Sequence, residues 1–226
     1  MNDFSIQKSI PYYEQFYHSI KKMIFEGTFK PGERIIENQL AKEFGVSKSP
    51  IREAIRMLEN EGLVVTDEKS RVKVYEPAIQ DVEEIYFCRM ALESFAVERM
   101  TSMATEEEIQ AIRQLLQETA EAIENERSAE VVVTLNERFH HLIIAFTQNK
   151  RLQKQLDGLK SLTHFFRILN LEGENRAEVI LEQHHKILGY IQNREGKKAA
   201  EEMISHLKLD LDHLKEVLPE ETENQK

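Results

Sequence analysis

The chain has 226 residues, of which 41% are hydrophobic and 31% charged, a composition that is typical of folded globular proteins and excludes wholesale disorder. No apolar run approaches the roughly 20 residues that span a bilayer, and the N-terminus has no signal-peptide pattern, so we expect a cytoplasmic protein without membrane segments. The single cysteine, Cys88, excludes an intramolecular disulfide and a Cys-rich metal cluster, and we expect it to be a small apolar residue of a helix.

The negative charge is confined to the second part of the chain. Residues 1–76 hold 12 basic and 12 acidic side chains, whereas the other 150 residues hold 18 basic and 28 acidic ones and account for the whole net charge of −10. Binding to a polyanion depends on local charge, so an acidic second domain does not exclude a neutral first domain that binds nucleic acid. The asymmetry predicts two domains with different partners.

Three helices are predicted in residues 1–76 from the spacing of apolar side chains. They cover about 9–26, 37–44 and 50–60. Gly27 and Gly45 end the first two, and the turn signal Pro31-Gly32 lies between them. The third is predicted to have Ser49 as its N-cap and Pro50 as its first residue.

A β-hairpin is predicted to follow the third helix. The apolar stretches 63–66 and 72–75 are typical of short strands, and the polar residues 67–71 between them are typical of a turn. Three helices and then a hairpin, in this order, predict a winged helix-turn-helix.

A second, all-helical domain is predicted for residues 77–226. Pro77 marks the boundary, and no proline occurs between residues 79 and 218. The pattern predicts a bundle of about six helices, over 79–103, 105–126, 129–147, 149–170, 174–193 and 196–217. The predicted fold class is therefore mainly α.

The stretch from Gly27 to Leu63, GTFKPGERIIENQLAKEFGVSKSPIREAIRMLENEGL, closely resembles the GntR family of bacterial transcription regulators. The match is nearly continuous over 37 residues. The residues that carry it are Pro31-Gly32, Leu40-Ala41, Gly45-Val46-Ser47, the run from Pro50 to Ala54, Leu58, and Glu61-Gly62-Leu63. The resemblance implies a DNA-binding domain.

The third helix has the pattern of a recognition helix. Ile51, Ile55 and Leu58 recur at helical spacing and form an apolar stripe, whereas Arg52 and Arg56 project from a different face. Two arginines near the start of the second helix of a helix-turn-helix can reach base edges or phosphates in the major groove. The alternative is a solvated charged face with serine caps.

Further DNA contacts are expected around this helix and in the wing. Serine hydroxyls, basic side chains and first-turn N–H groups are typical phosphate donors. The full set of expected DNA-binding residues is Arg34, Ser47, Lys48, Ser49, Arg52, Arg56, Lys69 and Arg71. The wing departs from the family pattern, because the turn Asp67 to Arg71 lacks the usual glycine at its tip.

Three patches of the second domain resemble the FCD-type ligand-binding domain of the FadR branch of GntR regulators. They are Arg89-Met90-Ala91-Leu92-Glu93, Asn136-Glu137-Arg138-Phe139-His140, and two later histidines, His184 and His206. The second patch corresponds to an Asp-x-x-x-His pattern in which Phe precedes His. The resemblance implies a metal site made by Asn136, His140, His184 and His206.

The residue types suit that chemistry. Asn136 and His140 are one helical turn apart and face the same way, and His184 and His206 come from two further helices. Three imidazoles and one side-chain oxygen suit Zn²⁺ or Ni²⁺ and leave positions open for water or a ligand. The family more often has Asp at the position of Asn136, and an amide oxygen is a weaker, neutral ligand.

The remaining histidines are expected to lie outside the metal site. His141 and His185 are adjacent to two proposed ligands but point about 100° away from them on a helix of 3.6 residues per turn. His164 is a candidate pocket residue, and His18 and His213 are expected to be structural or exposed.

Arg89 suits the recognition of an effector carboxylate, because its planar guanidinium pairs bidentately with such groups. The alternative is an intrahelical ion pair with Glu93, four residues later. A cationic metal and an arginine in an apolar pocket favour a small organic acid as effector.

These features predict a transcription regulator that binds an inverted-repeat DNA operator as a homodimer and senses a small organic acid. Two alternatives remain open. The metal itself can be the signal, or three histidines on zinc can activate water in a hydrolytic enzyme. The sequence offers no clearly placed general base for that enzyme, which would also leave the winged helix unexplained.

Overall fold

In a computed structural model of the protein, residues 10–218 are described, and the chain divides into two units between Glu76 and Pro77. The described part of the first unit contains α1 (Tyr12–Phe25), α2 (Glu37–Glu43), α3 (Lys48–Asn60), β1 (Val64–Thr66) and β2 (Val72–Val74). The described part of the second unit contains α4 (Ile79–Met103), α5 (Glu106–Glu124), α6 (Ala129–Phe146), α7 (Lys150–Asp157), α8 (Lys160–Asn170), α9 (Arg176–Gln192) and α10 (Gly196–Val217). The predicted mainly α fold with an N-terminal winged helix is confirmed.

The three helices of the first unit pack around one apolar core. Ile20 of α1, together with Ile51 and Leu58 of α3, is fully buried at its centre. An ion pair of 2.6 Å between Lys21 and Glu61 ties α1 to the end of α3. The α1 helix begins one residue after Pro11, and residue 9, where we predicted its start, lies outside the described part.

The α3 helix begins earlier than predicted. Its N-cap is Ser47, not Ser49, and Pro50 is its third residue. The first-turn N–H groups of a helix have no partner within the helix, so a proline in the third position costs no hydrogen bond. Gly45, with φ +67°, turns the chain between α2 and α3.

The wing is an antiparallel hairpin in which Val64 pairs with Val74 and Thr66 with Val72. Residues 32–35 run along its edge, where Arg34 forms a β-bridge with Lys73. The expected tip glycine is replaced by Ser70, which adopts a left-handed conformation with φ +56°. Asp67 accepts hydrogen bonds from the backbone N–H groups of Lys69 and Arg71 and so holds the turn.

The second unit is a helical bundle in which α4 packs along α10 and also contacts α6. Fully buried apolar side chains, among them Val97, Phe139 and Leu207, form its core. Two helices start with side-chain caps that satisfy first-turn N–H groups. Thr105 and Glu108 form a capping box on α5, and Asn149 caps α7.

The prediction of one helix over 149–170 is wrong. The segment forms two helices, α7 and α8, separated by Gly158 and Leu159, so the described part of this unit has seven helices and not about six. Glycine is unfavourable inside a helix, and the interruption at Gly158 and Leu159 separates α7 from α8, which packs against α6 and α10.

Cys88 lies on α4 as expected of a helix residue, but its side chain is exposed and not packed in the interior. Within the residues that the structure describes, no helix combines the length and the apolar character needed to cross a membrane.

Candidate functional site

Three buried histidines from three helices of the second unit converge on one point. His140 is on α6, His184 on α9 and His206 on α10, and none is more than 2% exposed. The Nε2 atom of His206 lies 3.3 Å from Nε2 of His184 and 3.4 Å from Nε2 of His140. One ring nitrogen of each residue lies within 4.8 Å of those of the other two.

This arrangement fits a tetrahedral metal ion. Nitrogens at roughly 2.0–2.1 Å from a tetrahedral zinc are about 3.3–3.4 Å apart, which agrees with the two shortest Nε2–Nε2 separations. A ring of Phe139 stacks on His184, with the centroids 3.8 Å apart, and limits the orientations of that imidazole. The donor set and its spacing therefore suit a divalent ion of the zinc type.

Acceptors on the opposite ring nitrogens orient two of the three imidazoles. Nδ1 of His140 lies 2.6 Å from Oε2 of Glu93, and Nδ1 of His206 lies 2.7 Å from Oε1 of Gln183. When Nδ1 donates to such an acceptor, the imidazole is neutral and the lone pair of Nε2 is free to bind a metal. Both imidazoles thus direct Nε2 toward the common point.

The protonation of the site also favours metal binding. Burial lowers the pKa of His140 to about 3. It likewise lowers the pKa values of His184 and His206, and for His184 the neighbouring histidines lower it further. Burial alone would raise the pKa of Glu93, but the charge of Arg89 and the hydrogen bond with His140 bring it below its usual value. At neutral pH the site therefore holds neutral imidazoles and an ionised carboxylate.

Asn136, one turn before His140 on α6, is 4% exposed. Its Oδ1 atom has no hydrogen-bond partner within residues 10–218. A buried amide oxygen without a partner is unfavourable, and a bound cation is one group that satisfies it. The side chain thus offers the oxygen that the sequence pattern predicts as a fourth ligand.

The other histidines are positioned differently. His141 and His185 are exposed, although His141 also lines the pocket beside the site. His164 contacts Glu137, with Nδ1 2.9 Å from Oε2, and does not itself line that pocket. The half-buried His213 lies against the backbone carbonyl of Glu172.

Arg89 combines features of both interpretations of its role. Its Nε donates to Glu93 at 2.8 Å, in the intrahelical pair that was the alternative to effector binding. Its Nη1 and Nη2 atoms are buried, and the described part of the chain provides no hydrogen-bond partner for either. Arg89 lines a pocket that His140 also lines, so its free N–H groups lie beside the histidine cluster.

Several residues around this pocket were not predicted from the sequence. Besides Arg89 and His140, its lining includes Glu93, Glu137, Lys160 and Arg167. Glu137 pairs with Lys160 at 3.1 Å and contacts His164. Burial would raise its pKa, but these contacts and Arg167 lower it to about 2. Arg167 follows Thr163 at helical spacing on α8, and this weak polar periodicity is its only sequence signal.

The residues expected to contact DNA lie at the surface of the first unit. Arg52 and Arg56 are exposed on α3, on a different face from the buried stripe of Ile51, Ile55 and Leu58. The other exposed members of the set are Arg34, Ser47, Lys48, Ser49 and Lys69.

Two of these arginines form ion pairs within the protein. Arg52 Nη2 lies 3.1 Å from Glu37, and Arg71, which is half-buried, lies 2.6 Å from Asp67. A DNA contact by either side chain would therefore compete with an existing partner.

Comparison with known proteins identifies both units. Residues 12–74 match the family model "Bacterial regulatory proteins, gntR family", and residues 84–209 match the FCD domain. The chain belongs to the GntR family and carries an FCD domain. It is 45% identical to the HTH-type transcriptional regulator YdhC of Bacillus subtilis over 99% of this chain and 100% of that protein.

A more distant relative is also a transcription regulator. The chain is 29% identical to the Nta operon transcriptional regulator of Aminobacter aminovorans, over 84% of this chain and 88% of that protein. The fold is also that of E. coli McbR/YncC, with a TM-score of 0.74 and 21% identity over 92% of this chain and 99% of that one. These families and relatives are transcription regulators and not enzymes, which removes the hydrolytic alternative.

Proposed function

We propose that this GntR regulator changes its affinity for an operator when a small organic acid binds beside a divalent metal ion held by His140, His184 and His206. The observation that carries the proposal is the convergence of three buried Nε2 atoms next to a pocket lined by Arg89. A bound ion would supply positive charge and open coordination positions to an acid in that pocket.

The donor set favours Zn²⁺ or Ni²⁺, because imidazole nitrogen suits these borderline ions. Asn136 would add a neutral oxygen where the family more often has a carboxylate. Neutral ligands leave the full charge of the ion uncompensated within the first coordination shell. This arrangement weakens metal binding and strengthens the attraction of the site for an anionic ligand.

The polar groups of the pocket favour a carboxylate. The buried Nη1 and Nη2 atoms of Arg89 have no hydrogen-bond partner within residues 10–218, and together they match the two oxygens of a carboxylate. The pair with Glu93 leaves both of these atoms free, because it uses only Nε. Arg89 can thus orient His140 through Glu93 and contact the acid at the same time.

The DNA-binding side of the proposal is a homodimer on an inverted repeat. One recognition helix with Arg52 and Arg56 contacts too few base pairs for useful specificity. A homodimer on two related half-sites contacts more base pairs and so gains specificity.

The α4 helix leaves Phe87 and Phe95 about 70% exposed, with Ala91 between them, which is a surface suited to a second copy. Sedimentation would show the dimer, and footprinting would show one or two half-sites. Because an operator is bound where the DNA is, we propose a cytoplasmic location.

A second candidate keeps the regulator but makes the metal itself the signal. The same histidine cluster supports it, since operator binding can depend on occupancy of the site alone. The two candidates differ in their response to acid at constant metal.

The test is a titration of operator binding with metal-free and Zn²⁺-loaded protein, each with and without citrate. Organic-acid sensing requires citrate to change operator affinity of the loaded protein. A change on metal addition with no further effect of citrate would favour metal sensing, and constant affinity throughout would contradict both.

A further inference from the structure

Arg167 of α8 is a buried cation for which residues 10–218 provide no ion pair. Its side chain is 5% exposed, and its Nε atom has no hydrogen-bond partner in the described part of the chain. Glu93 and Glu137 influence its charge, yet neither carboxylate forms a salt bridge with it. Glu93 pairs instead with Arg89, and Glu137 with Lys160.

Such a group is unfavourable unless something else binds it. Buried charges in proteins are normally paired, because removal of a guanidinium from water is not repaid without a partner. Burial and the nearby charge of Arg89 lower the pKa of Arg167 to about 10, which still leaves it protonated at neutral pH. The observation therefore points to an anionic partner outside the described part of the chain.

The location of Arg167 indicates where this partner lies. Arg167 lines the same pocket as Arg89 and His140. Among the charged lining residues that are buried, Glu93 offsets the charge of Arg89, so the charge of Arg167 remains. A divalent ion on three neutral histidines would add two further positive charges. One carboxylate cannot neutralise this excess.

We propose that Arg167 binds a second carboxylate of the effector, so that the pocket selects acids with two or more carboxylates over monocarboxylates. The inference rests on the proposed function, since it concerns the same acid. Neither the histidine cluster nor Arg89 accounts for this selection.

The experiment compares succinate with butyrate, which has the same carbon chain and only one carboxylate. Binding of each to the Zn²⁺-loaded full-length protein is measured by calorimetry for the parent, Arg167→Met and Lys160→Met. Lys160 also lines the pocket, but it is exposed and paired with Glu137, so its variant controls for unspecific loss of positive charge.

We expect Arg167→Met to weaken succinate binding roughly 10- to 100-fold, as for the loss of a charge-assisted hydrogen-bonded pair, and to leave butyrate binding unchanged. Lys160→Met should change succinate binding less than threefold, a small effect typical of an exposed ion pair. The melting temperature of the ligand-free Arg167→Met protein should stay equal or rise, because an unpaired buried charge is removed.

Each negative result would contradict a different part of the proposal. A lower melting temperature of ligand-free Arg167→Met, or equal succinate binding by parent and variant, would overturn the role of Arg167 while organic-acid sensing stands. Equal weakening of succinate and butyrate would overturn the selection rule. If neither acid binds the loaded parent, the proposed function fails, and this inference fails with it.

Discussion

Glu93 connects two functional residues of different helices: its Oε2 lies 2.6 Å from Nδ1 of His140, and its Oε1 accepts a hydrogen bond from Arg89. One carboxylate thus orients both a proposed metal ligand and a proposed acid-binding side chain. Outer-sphere partners of this kind contribute strongly to metal affinity, since they hold the imidazole in the correct tautomer.

The first prediction follows from this contact. Glu93→Gln should lower zinc affinity about 10- to 100-fold, because an amide is a weaker acceptor for the Nδ1 proton of His140. Zinc affinity can be measured by competition with a chromogenic chelator. Glu137→Gln is the matched control, since Glu137 lines the same pocket but contacts Lys160 and His164. Equal affinities for the Glu93 variant and the parent would show that Glu93 does not orient the ligand.

The second prediction concerns the ligand set. Alanine at His140, His184 or His206 should lower bound metal, whereas His141→Ala and His185→Ala should change it little. Asn136→Asp should tighten binding, because a carboxylate adds charge attraction to the same oxygen geometry. Elemental analysis of the six variants, with circular dichroism to verify folding, is sufficient. Full occupancy in folded His184 and His206 variants would place the metal elsewhere.

Much of this site could be predicted from the sequence. The resemblance to the FCD domain indicated His140, His184 and His206, and helical spacing separated them from the adjacent His141 and His185. His140 is buried, whereas the adjacent His141 is exposed. Helical spacing also predicted that Arg52 projects from a different face than Ile51 and Ile55.

The features of the fold and site that the sequence did not predict depend on tertiary packing. Arg167 is like any other helix arginine in the sequence, and only the docking of α8 on α6 and α10 buries it. The division of 149–170 at Gly158 was missed because a single glycine is tolerated in many helices. The pairing of Arg89 with Glu93 was one of two alternatives, and the structure contains it together with free Nη atoms.

The third prediction concerns the recognition helix. Arg52→Ala should cost about 1–3 kcal/mol of binding free energy on the operator if Arg52 forms a bidentate contact with a base. Because Arg52 pairs with Glu37, Glu37→Gln should raise operator affinity, by no more than about fivefold for an exposed pair. Both effects are measurable by fluorescence anisotropy at fixed salt. Equal losses of Arg52→Ala on operator and random DNA would assign Arg52 to a phosphate.

The fourth prediction concerns the turn of the wing. Hydrogen bonds from the side chain and backbone of Arg71 lower the pKa of Asp67 to about 2. A lowered pKa means that the ionised carboxylate stabilises the turn at pH values above about 3.9, and that this effect is lost as the pH falls toward 2. Arg71→Gln should shift the pKa of Asp67 upward. Carbon NMR of the Asp67 carboxyl group against pH would measure both values, and a midpoint near 3.9 in the parent would contradict the contact.

The last prediction concerns the coupling between acid and operator, and it uses the two functions of Arg89. Arg89→Ala would leave Glu93 as an unpaired buried charge, which is strongly destabilising, so the loss of a response would have two explanations. Arg89→Lys keeps a cation beside Glu93 but removes the Nη1 and Nη2 donors.

An acid can alter DNA affinity only by binding the DNA-competent and incompetent states of the protein with different affinities. We therefore expect citrate to change the operator affinity of the Zn²⁺-loaded parent by about 5- to 150-fold, a coupling of roughly 1–3 kcal/mol. Arg89→Lys should retain its bound zinc and its operator affinity in the absence of acid. Its change in operator affinity should require citrate concentrations at least tenfold higher than those for the parent. Titrations of operator binding at several citrate concentrations, on parent, Arg89→Lys and His185→Ala, separate these effects. If Arg89→Lys responds at the same citrate concentrations as the parent, the free guanidinium nitrogens do not bind the acid and serve only the pair with Glu93.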